Sequence, residues 1–312
     1  VYGRKQLVGY RIPASRGTMR RAAHRLADMI YEELTGIAGV FDTRVTYVTA
    51  EERRDGRLYS LIVSDADGFN EYKIMESADP IMSPAWSPDS RRIAYVSFEG
   101  NRSSIFVQTL RTGNRVQVSS RAGVNGAPAF SPDGRKLVVT LSDADGNLDI
   151  YTLDIATRQT RRITTHRAID TEGSWSPDGR YIYFTSDRSG GPQIYRVSAN
   201  GGSAERVTFE GSYNARPRIS PDGEKLAMVH LQNGNYRIAV MDLDRKDLLV
   251  LSAGRQDESP SFAPNSDTLI YATRTGRNGV LESVTADGLI RQRLQSGDGD
   301  VREPVWSPFQ RF

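Results

Sequence analysis

The 312-residue sequence contains no cysteine. That excludes a disulfide framework, thiolate-bound zinc and a thiol nucleophile, and leaves the compartment open. Histidine is nearly absent as well: His24, His166 and His230 are far apart, so a three-histidine metal centre is not expected. No apolar run approaches the roughly 18 residues that a membrane-spanning helix needs. Gly-x-Ser-x-Gly, phosphate-loop and His-Glu-x-x-His patterns are missing, which removes the common hydrolase, nucleotide and zinc-protease readings. Charge of one sign is missing too. The net charge is only +3, and residues 1–40 carry seven basic side chains against three acidic ones, so residues 41–312 sum to −1. A chain without a basic platform is a poor candidate for nucleic acid. Val1 opens without an initiator Met or a basic-then-apolar leader, which reads as a mature or truncated product.

What the chain has in excess is repetition. AWSPDSRRI begins at Ala85, AFSPDGRKL at Ala129, SWSPDGRYI at Ser174, RISPDGEKL at Arg218 and SFAPNSDTL at Ser261, and VWSP returns at Val305. The prolines of these anchors, Pro88, Pro132, Pro177, Pro221, Pro264 and Pro308, are 44, 45, 44, 43 and 44 residues apart. Within one period the grammar is constant. After PAF (128–130), SPDG (131–134) is a turn in which Pro presets φ and Gly accepts a positive one. RKLVVTLS, LDIYTLDI and TRRITTH then read as three further strands separated by DADGN and ATRQ turns. Four antiparallel strands per 40–50 residues is the signature of a β-propeller blade. The large residue before each anchor, Trp86, Phe130, Trp175, Ile219, Phe262 or Trp306, is expected in the core.

The sixth anchor stops at SPFQRF, but TRVTYV (43–48), LYSLIVSDADG (58–68) and EYKIM (72–76) supply the three strands it lacks. The expected fold is therefore an all-β, six-bladed propeller over residues 41–312, closed by pairing of both chain ends, which removes open sheet edges. Residues 1–40 stand apart. KQLVGYRI (5–12) reads as a strand and Ser15 to Gly36 as a helix, with Met19, Ala22, Ala23, Leu26, Met29, Ile30 and Leu34 on one side. One strand and one helix are too little for a domain, so they are expected to be the C-terminal part of a small α/β domain.

Activity in a propeller is expected at the mouth of its channel. The stretches leading into the inner strands, MSP (82–84), NGAP (125–128), DTEG (170–173), NARP (214–217), DESP (257–260) and VREP (301–304), differ from blade to blade, whereas the SPDG turns do not. Asp170, Glu172, Asp257 and Glu258 mix there with Arg216 and Arg302 and with small residues such as Gly126 and Ala127. Mixed charge suits a protein surface better than a phosphate backbone. The DADG runs at 65–68 and 143–146 lack the closing Glu of a calcium loop and read as turns. No catalytic group, cofactor or metal is expected from the residues. A channel enzyme or a glycan-binding module is the alternative reading.

LTGIAGVFDTRVTYV (34–48), PIMSPAWSPD (80–89), NGAPAFSPDG (125–134) and the terminal PVWSPF closely resemble the TolB family, the periplasmic β-propeller proteins of the Tol–Pal envelope system. The resemblance runs along essentially the whole chain. It implies a non-enzymatic adaptor in the periplasm that binds the lipoprotein Pal at the channel mouth and supports outer-membrane integrity and cell division. It implies contact with TolA through an N-terminal segment absent from this sequence, and hijacking by colicins or phage proteins. Carried over position by position, Met82, Ser83, Asn125, Gly126, Ala127, Thr171 and Glu172 face Pal. Val124 stands where some relatives have His, which puts a polar contact there in doubt. The resemblance also allows a calcium ion on the channel axis.

Overall fold

The SPDG anchors close their turns with their own side chains. In the second blade the Ser131 hydroxyl donates to Asp133 at 2.5 Å and accepts from the Lys136 amide at 3.0 Å, while Gly134 sits at φ 68°. The same hydroxyl-to-carboxylate bond recurs at Ser87, Ser176 and Ser220. The Ser176 hydroxyl and the Arg180 amide hold the Asp178 carboxylate and lower its pKa from the usual value to about 2. The turns also touch around the ring: a Cβ added at Gly134, Gly179 or Gly223 would lie 3.5–3.8 Å from Pro88, Pro132 or Pro177 of the preceding blade. The motif recurs because it is both a local turn and a contact between neighbours.

The computed structural model describes residues 9–294 and 299–310. Six four-stranded antiparallel sheets follow one another. Their inner strands are Ile81–Trp86, Asn125–Phe130, Asp170–Trp175, Asn214–Ile219, Glu258–Phe262 and Asp300–Trp306, which we number blades one to six. The sixth blade joins Asp300–Trp306 to Arg44–Arg53, Gly56–Asp65 and Tyr72–Ser77, with Val45 opposite Trp306. The ring thus closes through both ends of the chain.

Apolar burial drives this arrangement. Among the described residues there are six buried apolar clusters, and each lies between two neighbouring blades. Blades one and two share Val96, Ile105, Leu137 and Leu141; blades five and six share Tyr47, Ile270, Val301 and Trp306. Trp86, Phe130, Phe262 and Trp306 are buried as expected, while Trp175 and Ile219 are partly exposed. The indole N–H groups stitch blades together: Trp86 donates to the Val305 carbonyl and Trp175 to the Ala129 carbonyl, both at 3.2 Å.

The helix is Met19–Thr35, closed by Gly36 at φ 74°. It stands on the SPDG face, where Arg20 bonds Asp65 at 3.0 Å and Asn265 bonds the Ala38 carbonyl at 3.1 Å. Residues 5–8 of the expected strand lie outside the described residues, and residues 9–12 form no strand. The expected helix is present, but none of its residues is buried, and Met19, Ile30 and Leu34 are exposed. Periodicity specifies the helix, but it does not say what covers it.

Candidate functional site: the channel mouth

The stretches read as loops before the inner strands are the first halves of those strands. They contain the prolines Pro84, Pro128, Pro217, Pro260 and Pro304. Each sits on an edge strand facing the channel, where the missing N–H has no ladder partner to lose. Every inner strand then bulges, with register shifts such as Met82/Ala85, Gly126/Ala129 and Thr171/Ser174. At the bulge one residue adopts positive φ: Ser83 (52°), Ala127 (45°), Glu172 (59°), Arg216 (56°), Ser259 (56°) and Glu303 (51°). These six stand five residues before the anchor prolines and line the channel together. A bulge turns a side chain out of the pleat, and here it aims one from each blade at the axis.

This ring is charged and internally satisfied. The Arg216 guanidinium donates from Nε to Glu172 Oε1 at 2.9 Å, also donates to the Ser259 hydroxyl, and lies 3.6 Å from Glu303 Oε1. Glu172 Oε2 accepts from the Arg216 amide and from the Thr185 hydroxyl, each at 3.0 Å, and Glu303 Oε2 accepts from the Ser83 amide. Burial alone would lower the Arg216 pKa, but Glu172, Glu303 and Glu258 together raise it, so the group stays protonated. Calcium needs six to eight oxygen ligands. On this axis it would meet a guanidinium and carboxylate oxygens already in use, so the residues present do not fit it. Among the described residues no group of three or more His, Cys, Asp or Glu side chains is placed to hold a metal.

Two positions outward the expected residues divide by blade. Asn125, Asp170 and Asp257 are almost completely buried. Asn125 accepts from the Ser119 hydroxyl at 2.6 Å, and Asp170 takes Arg188 on both oxygens at 2.8 and 2.7 Å. Asp257 accepts from the Thr273 hydroxyl at 2.5 Å and the Gly254 amide at 3.0 Å. Asn214 holds the same place in blade four, bonded to Gln193 at 2.9 Å and to His230 at 2.8 Å. These four side chains pin the start of the inner strand and do not face a partner. Gly126 and Thr171 remain partly exposed, and Met82 is exposed. Arg302 bonds its neighbour Asp300 at 2.6 Å, outside the ring, because alternate strand residues face opposite ways.

The sequence reading missed Ser259 and Glu303 of the ring and Ile169 as surface, and it noted Val124 only as a departure from some relatives. Val124 and Ile169 stand eight residues before their anchor prolines, directly ahead of the buried clamp, and both are exposed. With Met82 they give blades one to three an apolar rim. The rim faces away from the helix, because each inner strand runs from the rim down to the SPDG face.

Glu258 differs from the other rim acids. It lies in a cleft of about 320 Å³ with Tyr213, Tyr236, Asp300 and Arg302, and its carboxylate has no hydrogen bond among the described residues. Desolvation pushes its pKa up against the pull of Arg216, and Glu303 adds to the rise. A raised carboxylate stabilises the fold fully below the ordinary value of 4.5 and loses that contribution as pH rises through its folded value. Glu258→Gln should therefore raise the melting temperature at pH 7–8, with the gain shrinking towards about pH 4. A gain that does not change with pH would contradict this reading.

Comparison with known proteins assigns the chain. The family model described as the TolB beta propeller domain matches residues 31–310. The chain belongs to the TolB family. The Tol-Pal system protein TolB of Xanthomonas oryzae pv. oryzae is 50% identical over 308 residues, which is 98% of this chain and 70% of that protein. The Xanthomonas campestris pv. campestris TolB is 51% identical over the same shares. The crystal structure of TolB from Acinetobacter baumannii superposes with a TM-score of 0.88 at 46% identity, covering 96% of this chain and 74% of that one. As a TolB-family chain, the protein is a component of the Tol–Pal system and not an enzyme.

Proposed function

We propose that the channel mouth docks the lipoprotein Pal, and that the chain acts in the periplasm as an adaptor supporting outer-membrane integrity and constriction at division. Residues 1–40 are, on this reading, the end of an α/β domain whose preceding segment would meet TolA. The observation that carries the proposal is the rim of Met82, Val124 and Ile169 beside Thr171. It places exposed apolar side chains on a rigid, internally satisfied ring, where the family resemblance expects Pal. Apolar anchors amid polar neighbours on a fixed backbone suit a protein partner and require little movement on binding.

The test is calorimetric titration of the soluble domain of Pal into the chain and its variants. Ala127→Val is a poor probe, because a β-branched residue at φ 45° would strain the backbone by itself. Met82→Glu and Thr171→Ile should each weaken one-to-one binding by about tenfold, a loss of about 1.4 kcal/mol. Leu289→Ser, on the SPDG face and 82% exposed, should leave it unchanged. Equal affinity for all four proteins, with melting temperatures intact, would move the docking site elsewhere.

A further inference from the structure

The ring at the bulges holds one charge arrangement that the docking proposal does not use. Of its six residues, Ser83, Ala127 and Ser259 are small and uncharged. The two carboxylates, Glu172 and Glu303, come from blades three and six, which stand opposite one another in a six-bladed ring. Arg216, from blade four, contacts both. A side chain that contacts both carboxylates lies between them. The cavity left around it is about 40 Å³.

Without Arg216, the same ring would present two opposed carboxylates, the Ser259 hydroxyl and open space for water. Those are hard oxygen donors converging on one point, the donor set a divalent cation takes. The buried pair would also repel itself unless a positive charge stood between. We propose that the Arg216 guanidinium is a built-in channel cation, taking the place between Glu172 and Glu303 that calcium would occupy, so that this chain is calcium-independent. Arg218 strengthens the exclusion. It enters the channel one level further down, where the other blades carry Ala85, Ala129, Ser174, Ser261 and Val305. Its hydrogen bond is to the carbonyl of its neighbour Pro217 at 2.9 Å, so its charge is not cancelled by an ion pair among the described residues.

The test needs no partner protein, so its outcome is independent of whether the rim binds Pal. Thermal melts and calcium titrations are compared for the chain, for Arg216→Gln and for Arg216→Asp. All are run in millimolar calcium chloride and in chelator at matched ionic strength. The unaltered chain should melt identically in both and show no calcium binding. The Arg216→Asp variant should bind one calcium ion, and its melting temperature should rise by about 2–3 °C with calcium tenfold above its dissociation constant. Arg216→Gln should respond less, and adding Glu303→Gln to Arg216→Asp should abolish the response. One-to-one calcium binding by the unaltered chain that Glu303→Gln removes would overturn the proposal. So would an Arg216→Asp variant that folds yet ignores calcium even with Arg218→Ser added, or one that stays unfolded in its presence.

Discussion

Arg216→Met should lower the stability of the ring by about 2–4 kcal/mol in urea titration. Removing one partner of a buried ion pair costs about 3–5 kcal/mol, because the other partner keeps its desolvation penalty without its compensation. The value is set lower here because the pair is not fully buried: the side chains of Arg216, Glu172 and Glu303 are 29, 23 and 11% exposed. The loss should be strongly coupled. Glu172→Gln alone leaves Arg216 facing Glu303 only, and should also destabilise. Introduced together with Arg216→Met, it removes one of the two opposed carboxylates and so their repulsion, and should recover more than half of the loss, a coupling of at least about 1 kcal/mol. Additive losses would show that water in the channel screens the charges and that the ring is not an electrostatic unit.

That unit was only half legible in the sequence, and the reason is physical. The SPDG turns and the count of six blades could be read directly because turn chemistry is local: a serine, a proline, an aspartate and a glycine build it from neighbours. Closure was legible because three strands lacked an inner strand at one end of the chain and an inner strand lacked its blade at the other. The ring has no such local signature. Its members are Ser83, Ala127, Glu172, Arg216, Ser259 and Glu303, residue types that do not ordinarily choose positive φ. Only the spacing of five residues to the anchor proline connects them. Arg302 and Glu303 are adjacent and both charged, and the sequence reading named only Arg302. Which of two neighbours faces the axis depends on the bulge, and a bulge inverts the simple alternation of a strand.

The clamp residues show the opposite error. Asn125, Asp170 and Asp257 looked like surface because they are polar and lie in stretches that vary. In fact each caps the start of an inner strand and is nearly inaccessible. Polar side chains this deeply buried survive only with partners. Those partners lie 16–18 residues away, Thr273 for Asp257 on the next strand and Arg188 for Asp170 in the turn just after it, beyond the reach of a local motif.

The largest effect is expected from the strand that closes the ring. Removing residues 300–312 takes Val301 and Trp306 from the cluster between blades five and six, and Val305 from the edge of the cluster between blades six and one. Two of the six interblade cores would be damaged by one deletion, and the ten-residue strand Arg44–Arg53 would become an open edge. Because each blade is held mainly by its neighbours, a broken ring loses the mutual support that makes its melting cooperative. The truncated chain should show no sharp thermal transition and should aggregate through its exposed strand. Trp306→Ala is the graded version. It empties a 93%-buried site and removes the 2.8 Å bond from the indole to Thr43, and should cost about 3–5 kcal/mol. Trp175→Ala, at a partly exposed anchor, should cost less. The bonds between Asp300–Trp306 and Arg44–Arg53 are non-covalent, so a synthetic peptide of residues 299–310 added to the truncated chain should restore a single transition. A truncated chain that melts as the intact one does would mean that five blades hold the ring without the sixth inner strand, and that the contact between the chain ends follows folding and does not drive it.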